Sequence, residues 1–172
     1  MTKEDDLHYL KGLRDEYKPR GRTLLVGSKL YNGSFDRRNW YKNVLGLDLL
    51  PGEGVDVVHD LHEFPKDIGR FGHVDCCSVL EHCERPWMVA KNIGKLLNPK
   101  GTILLSVPFA WRVHGYPSDY WRMTTEAVKV IFPQIAWKRL EYTSMGKHVD
   151  RPRGERFAVN RTEVVGFGIK LA

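Results

Sequence analysis

Short apolar runs alternate with polar stretches of helix-compatible spacing along most of the chain, and this alternation predicts a parallel sheet connected by helices. The runs fall at 23–26, 44–50, 55–61, 74–80 and 102–107. Several are nearly continuously apolar, as parallel strands covered on both faces should be. Between the last two, Trp87, Val89, Ile93, Leu96 and Leu97 recur close to the helical period over 86–97, with Pro86 suited to a first turn. Asn98-Pro99-Lys100-Gly101 then predicts a turn into the fifth strand. At the start of the chain, Leu7, Leu10, Leu13 and Tyr17 share one side of a helix predicted over 3–18, placed to pack on the sheet as a lid or brace.

After the fifth strand the pattern changes. Residues 108–123 read as a loop rich in Trp, Tyr and His, on the substrate side of the sheet. A short helix over 124–132 and two strands at 137–144 and 163–171 follow, joined by a Gly- and Arg-bearing connection, 146–161, that closes an antiparallel hairpin. The expected fold is α/β: a Rossmann-like, doubly wound, seven-stranded sheet, mostly parallel with an antiparallel C-terminal hairpin strand. It is expected to form one domain spanning 1–172, with an N-terminal helix inside 1–20.

At 172 residues, 42% hydrophobic and 28% charged, the chain suffices for one buried core and leaves no room for a second full domain. The opening residues have no apolar signal region, and no run approaches the roughly 18 apolar residues of a membrane span, so a soluble, cytoplasmic protein without a membrane partner is expected. Cys76, Cys77 and Cys83 crowd one segment and read as reduced core thiols. Cys83 lies beside His82, but no second Cys/His pair stands at zinc-ligand spacing. The net charge of +6 leaves room for an anionic partner, nucleic acid included, without demanding one. Arg151, Arg153, Arg156 and Arg161 would bind phosphates if one face presented them, and otherwise decorate a solvated hairpin.

In an open α/β sheet, ligands bind beyond the carboxyl ends of the strands, so the residues following each strand are the first candidates. Gly27 follows the first strand, where a glycine lets backbone N–H groups approach a carboxylate or phosphate, and a helix starting behind it would favour negative charge. Asp48 ends the second strand, a position where an acidic side chain accepts ribose hydroxyls. Asp60 follows the third, placed to accept an adenine amino group, with Leu49 and Leu61 flanking the base. Together these positions outline an adenosine pocket.

Ser78-Val79-Leu80-Glu81-His82, followed by Arg85-Pro86 and by the run from Leu96 through Asn98-Pro99-Lys100-Gly101 to Pro108, resembles the class I (Rossmann-like) S-adenosylmethionine-dependent methyltransferases, especially their type-11 group. The likeness covers most of the chain. It implies Gly27, Ser28 and Lys29 near the methionine moiety of S-adenosyl-L-methionine, Asp48 on the ribose, Asp60 and Leu61 at the adenine, and Ser78 and Val79 lining the cofactor. One departure stands out: the family's Gly-x-Gly-x-Gly loop keeps only its first glycine in place here, from Gly27 to Gly33.

The implied activity is methyl transfer to an unidentified small-molecule or sugar-like acceptor. A sulfonium methyl is already electrophilic, so the protein must mainly hold the acceptor in line, adding a base only where the acceptor needs deprotonation. Candidate catalytic residues are Glu81 and His82 near the fourth strand and, in the aromatic loop, Trp111, His114, Tyr116, Asp119, Tyr120 and Arg122. His114 has the chemistry of a general base with Asp119 to orient it; the alternative is that the two simply tie the loop together. Glu81-His82 resembles methyltransferases that hold magnesium with Glu-x-x-Glu-His, but Ser78 replaces the first Glu, so no required metal is expected. The competing reading is a cofactor- or nucleic-acid-binding module with little turnover, or an RNA-directed methyltransferase. A nicotinamide oxidoreductase is disfavoured because neither Gly-x-Gly-x-x-Gly nor Tyr-x-x-x-Lys is present.

Overall fold

Seven strands form one sheet in the order β3-β2-β1-β4-β5-β7-β6. In chain order these are β1 (Thr23–Val26), β2 (Val44–Asp48), β3 (Val57–Val58), β4 (Phe71–Cys77), β5 (Leu97–Ala110), β6 (Ile135–Asp150) and β7 (Phe157–Lys170). The first five run parallel, β7 pairs antiparallel with β5, and β6 closes the edge antiparallel to β7. The computed structural model describes residues 4–31, 34–115, 117–150 and 157–172, with side chains described for all of these except 4–6, 144–150 and 157–161. Tyr116, Arg151, Arg153 and Arg156 therefore lie outside the described residues, as does the side chain of Arg161.

Helices cover both faces. On one, α2 (Pro86–Leu96) and α3 (Thr125–Ile131) pack Val89, Ile93, Leu96 and Val128 against Val74, Cys76, Ile103, Leu105 and Val107. On the other, α1 (Glu4–Tyr17) sets Leu10 and Leu13 with Cys77, Leu104, Val165 and Phe167. Residues 103–107 alternate between these two cores, as a strand's two-residue period requires. α1 is thus a brace across the sheet, and its buried leucines take no part in the cleft described below.

Several boundaries differ from those predicted, each for a local reason. The second strand stops at Asp48 because its carboxylate accepts the Leu50 N–H at 3.1 Å, turning the chain. The third shrinks to two residues: Asp56 spends its carboxylate on the Gly46 N–H at 2.7 Å, and Asp60 captures the His62 N–H at 2.9 Å to begin a turn. The fourth starts earlier, at Phe71, and ends earlier, at Cys77, because Ser78 adopts a left-handed φ of 56°. Asn98 to Gly101 is not a turn before the fifth strand but a bulge within it, with Leu97 pairing Phe71 on one side and Thr102 pairing His73 on the other. Pro99 has no N–H for the ladder and Lys100 is left-handed, so this stretch loops out. The hairpin ladder continues to Asp150 opposite Phe157, so much of the connection expected at 146–161 is strand backbone.

Candidate functional site at the carboxyl ends of the strands

A cleft of about 450 Å³, within the range of small-molecule sites, opens beyond β1, β2, β3 and β4. Gly27, Ser28, Lys29, Asp48, Leu49, Asp60, Leu61, Ser78 and Val79 all line it, as do His82 and His114; Glu81 and Asp119 stand behind its wall. Gly27 holds φ at 67°, and a Cβ there would meet Val79 Cγ2 at 2.6 Å, so the backbone approaches the fourth-strand turn as only glycine allows.

The segment after β1 departs from expectation. No helix follows Gly27; among the described residues the chain runs irregularly to a short 3₁₀ turn, Arg37–Trp40, capped by Asp36, whose carboxylate accepts the Arg38 N–H at 2.8 Å. Nor do the amides from Gly27 to Tyr31 remain for a ligand. The N–H groups of Gly27 and Ser28 donate to the Leu47 carbonyl, that of Leu30 to the Glu53 carbonyl, that of Lys29 to Asp48 Oδ2 at 3.0 Å and that of Tyr31 to Ser34 Oγ. The Lys29 ammonium lies over the Tyr31 ring.

Arg37 supplies what the amides do not. It lines the cleft at 9% exposure, with Nε donating to the buried Asp75 carboxylate at 3.3 Å. The opposite charge of Asp75 raises the Arg37 pKa against the lowering effect of burial, so the guanidinium stays charged. Its terminal nitrogens remain for a ligand. Nothing in the apolar pattern marks Arg37, because the segment around it has no period; a cation two residues after a strand-distal aromatic is the only signal. His59, His62, Phe35 and Cys83 also line the cleft without having been singled out for it.

Asp48 accepts the Lys29 and Leu50 N–H groups, one on each oxygen, which fixes the carboxylate at the end of β2. Asp60 binds the His62 backbone N–H at 2.9 Å and its Nδ1 at 2.6 Å. Burial raises the Asp60 pKa, but these hydrogen bonds outweigh it and the net shift is downward. Leu61 is buried at the floor and Leu49 is exposed at the rim.

At the other end, Leu80–His82 form a 3₁₀ turn that buries Glu81 to 1% exposure. His82 Nδ1 donates to the Ser118 carbonyl at 2.6 Å, and desolvation lowers its pKa. His114 Nδ1 lies 3.1 Å from Asp119 Oδ2, which also accepts the His114 backbone N–H at 2.7 Å. His114 and Asp119 thus meet as the sequence suggested. Arg122 grips both Asp119 oxygens at 2.6 and 2.8 Å and the Arg112 carbonyl at 2.9 Å, and chiefly through that grip the Asp119 pKa falls to about 2. Trp111 lines the cleft, whereas Tyr120 points outward and ties the loop to the Glu81 carbonyl through its N–H at 2.8 Å. Burial pushes the Cys83 thiol up to about 12, leaving it protonated.

No family model and no curated protein matches the sequence. Solved structures do match the fold. A candidate methyltransferase of Bacillus halodurans superposes with a TM-score of 0.74 over 97% of this chain and 99% of its own, at 13% identity. The fold is that of the Rossmann-like methyltransferases. Two further structures with this methyltransferase fold were solved with ligands. The N-methyltransferase NodS of Bradyrhizobium japonicum, in complex with S-adenosyl-L-homocysteine, gives a TM-score of 0.62 at 12% identity over 97% of this chain and 88% of its own. A Burkholderia thailandensis 1,6-didemethyltoxoflavin N1-methyltransferase, bound to 1,6-didemethyltoxoflavin and S-adenosylhomocysteine, gives 0.67 at 15% identity over 96% of this chain and 78% of its own.

Proposed function

We propose that the chain transfers a methyl group from S-adenosyl-L-methionine to a small-molecule acceptor. The observation that carries this reading is the convergence of Gly27, Asp48, Asp60 and Ser78, from four successive strand ends, on one cleft of about 450 Å³. Two neighbours of the same fold hold S-adenosylhomocysteine, which supports the same ligand here.

The residues fit such a molecule. Asp48, held by two backbone donors, keeps a lone pair on each oxygen for the ribose hydroxyls. Asp60, ionised, accepts from the adenine amino group, while Leu61 and Leu49 sandwich the ring. Arg37 takes the methionine carboxylate, because the loop amides from Gly27 to Tyr31 are already committed. The Ser28 side chain packs instead against Gly46 of β2, where its hydroxyl would lie 2.7 Å from a Cβ. When bound, the cofactor supplies an electrophilic methyl on a sulfonium sulfur. His82 and His114 then face the acceptor with Glu81 buried behind them, and Trp111 and Pro117 wall its pocket.

Calorimetric titration with S-adenosylmethionine and S-adenosylhomocysteine tests the reading. Micromolar binding is expected, weakened at least about tenfold in Asp48→Ala, where the ribose hydrogen bonds are lost. Folded wild-type protein that binds neither compound overturns it.

A further inference from the structure

The acceptor end of the cleft brings together a buried carboxylate and two imidazoles from distant parts of the chain. One donor atom from each of Glu81, His82 and His114 lies within 4.8 Å of the others. Glu81 Oε1 and His82 Nε2 are 3.7 Å apart, and the His82 and His114 rings meet edge-on with centroids 4.9 Å apart.

The outer partners of the two histidines set which nitrogen is available. The Ser118 carbonyl can only accept, so the contact at 2.6 Å puts the proton on His82 Nδ1 and leaves the Nε2 lone pair exposed. His114 Nδ1 likewise faces acceptors only, the Arg112 carbonyl at 3.3 Å and the Asp119 carboxylate at 3.1 Å, and Arg122 clamps Asp119 in turn. One imidazole backed by a carbonyl and another backed by a carboxylate form the outer shell that orients metal-ligating histidines.

We propose that Glu81, His82 and His114 bind a divalent transition-metal ion, zinc being the best match, beside the acceptor pocket. Two imidazoles and one carboxylate are a recurrent catalytic zinc set, with a fourth position left open, whereas magnesium prefers oxygen donors. Donors each about 2.1 Å from a tetrahedral ion stand roughly 3.4 Å apart, so the set, now within 4.8 Å, closes by side-chain rotation on binding. His82 and His114 line the cleft, so the open position faces the acceptor. An ion there would lower the pKa of an acceptor hydroxyl, which favours an oxygen nucleophile. The sequence pattern hid this set because Ser78 breaks Glu-x-x-Glu-His, while the third donor comes from His114 in the later loop. Only the role assigned to the ion, not its binding, rests on the methyltransferase reading.

Chelator-stripped full-length protein is titrated with zinc chloride, and separately with magnesium chloride, by calorimetry and a competing chromophoric indicator. One zinc per chain is expected, at least about tenfold weaker in His114→Ala and His82→Ala, unchanged in His8→Ala, and far tighter than magnesium. Circular dichroism confirms that each variant is folded, and cobalt(II) gives a visible ligand-field band in wild type that His114→Ala loses. Absence of saturable zinc binding, or wild-type affinity retained in both cleft variants, overturns the site. Zinc binding without any S-adenosylhomocysteine binding upholds the site and removes the methyl-transfer reading; cofactor binding without zinc binding removes the site alone.

Discussion

At the residue scale, the cleft depends on where N–H groups and charges have already been spent. The amides from Gly27 to Tyr31 serve the protein itself, and the proposed role of Arg37 as the carboxylate's partner is open to a direct test. Arg37→Lys keeps the charge against Asp75 but loses the guanidinium fork; calorimetry should find S-adenosylhomocysteine weakened about tenfold and methylthioadenosine, which lacks the carboxylate, nearly unchanged. Gly27→Ala meets two penalties, a left-handed φ of 67° and a 2.6 Å approach to Val79. Chemical denaturation should show a loss of about 1–2 kcal/mol, and Val79→Ala in the same chain should relieve only the contact part. The place of Gly27, Asp48 and Asp60 on the cleft was legible because strand periodicity locates strand ends, where the cleft opens. Arg37 was not, because an irregular segment carries no period from which to infer where a side chain points.

At the scale of elements, the apolar pattern identified the seven strands and three α-helices but missed the two 3₁₀ turns, and it misjudged ends where a side chain replaced a ladder bond. Asp48, Asp56 and Asp60 each capture a backbone N–H that a strand would have used, and such competition is invisible to a hydrophobicity count. The bulge at Asn98 to Gly101 was read as a turn for the same reason: Pro and Lys at those positions mark a break without saying whether the ladder resumes its partner. The first helix shows the separation between stability and site. Leu10 is fully buried with Leu104, Val165 and Phe167, across the sheet from α2. Leu10→Ala should cost about 2–5 kcal/mol in urea unfolding while leaving S-adenosylhomocysteine affinity unchanged.

At the scale of the molecule, a buried polar chain links the two halves of the sheet. His73 on β4 contacts the Thr102 hydroxyl at 2.8 Å and the Tyr41 hydroxyl at 3.3 Å, and Tyr41 donates to Asp75 at 3.0 Å. Desolvation holds His73 down to about 4, against an unfolded value of about 6.5. Between those values the unfolded chain takes up a proton that the folded one refuses, so stability should fall as pH drops through that window, by about 3 kcal/mol at most from this group. Urea midpoints at pH about 7 and about 5 check this, and His73→Gln should have a shallower dependence by one proton. Four cations, Arg14, Lys18, Arg20 and Lys42, ring a depression of about 360 Å³ at the opposite ends of β1 and β2. The shortness of β3 has a consequence for how such a protein changes over generations. With only two residues in that strand, the cleft beyond β2 and β3 is walled by turns, so substitutions and insertions there should reshape its lining without breaking a ladder. The ladders of β4, β5 and β7 lie apart from that rim, so changes in its turns leave the frame in place and carry little risk to folding.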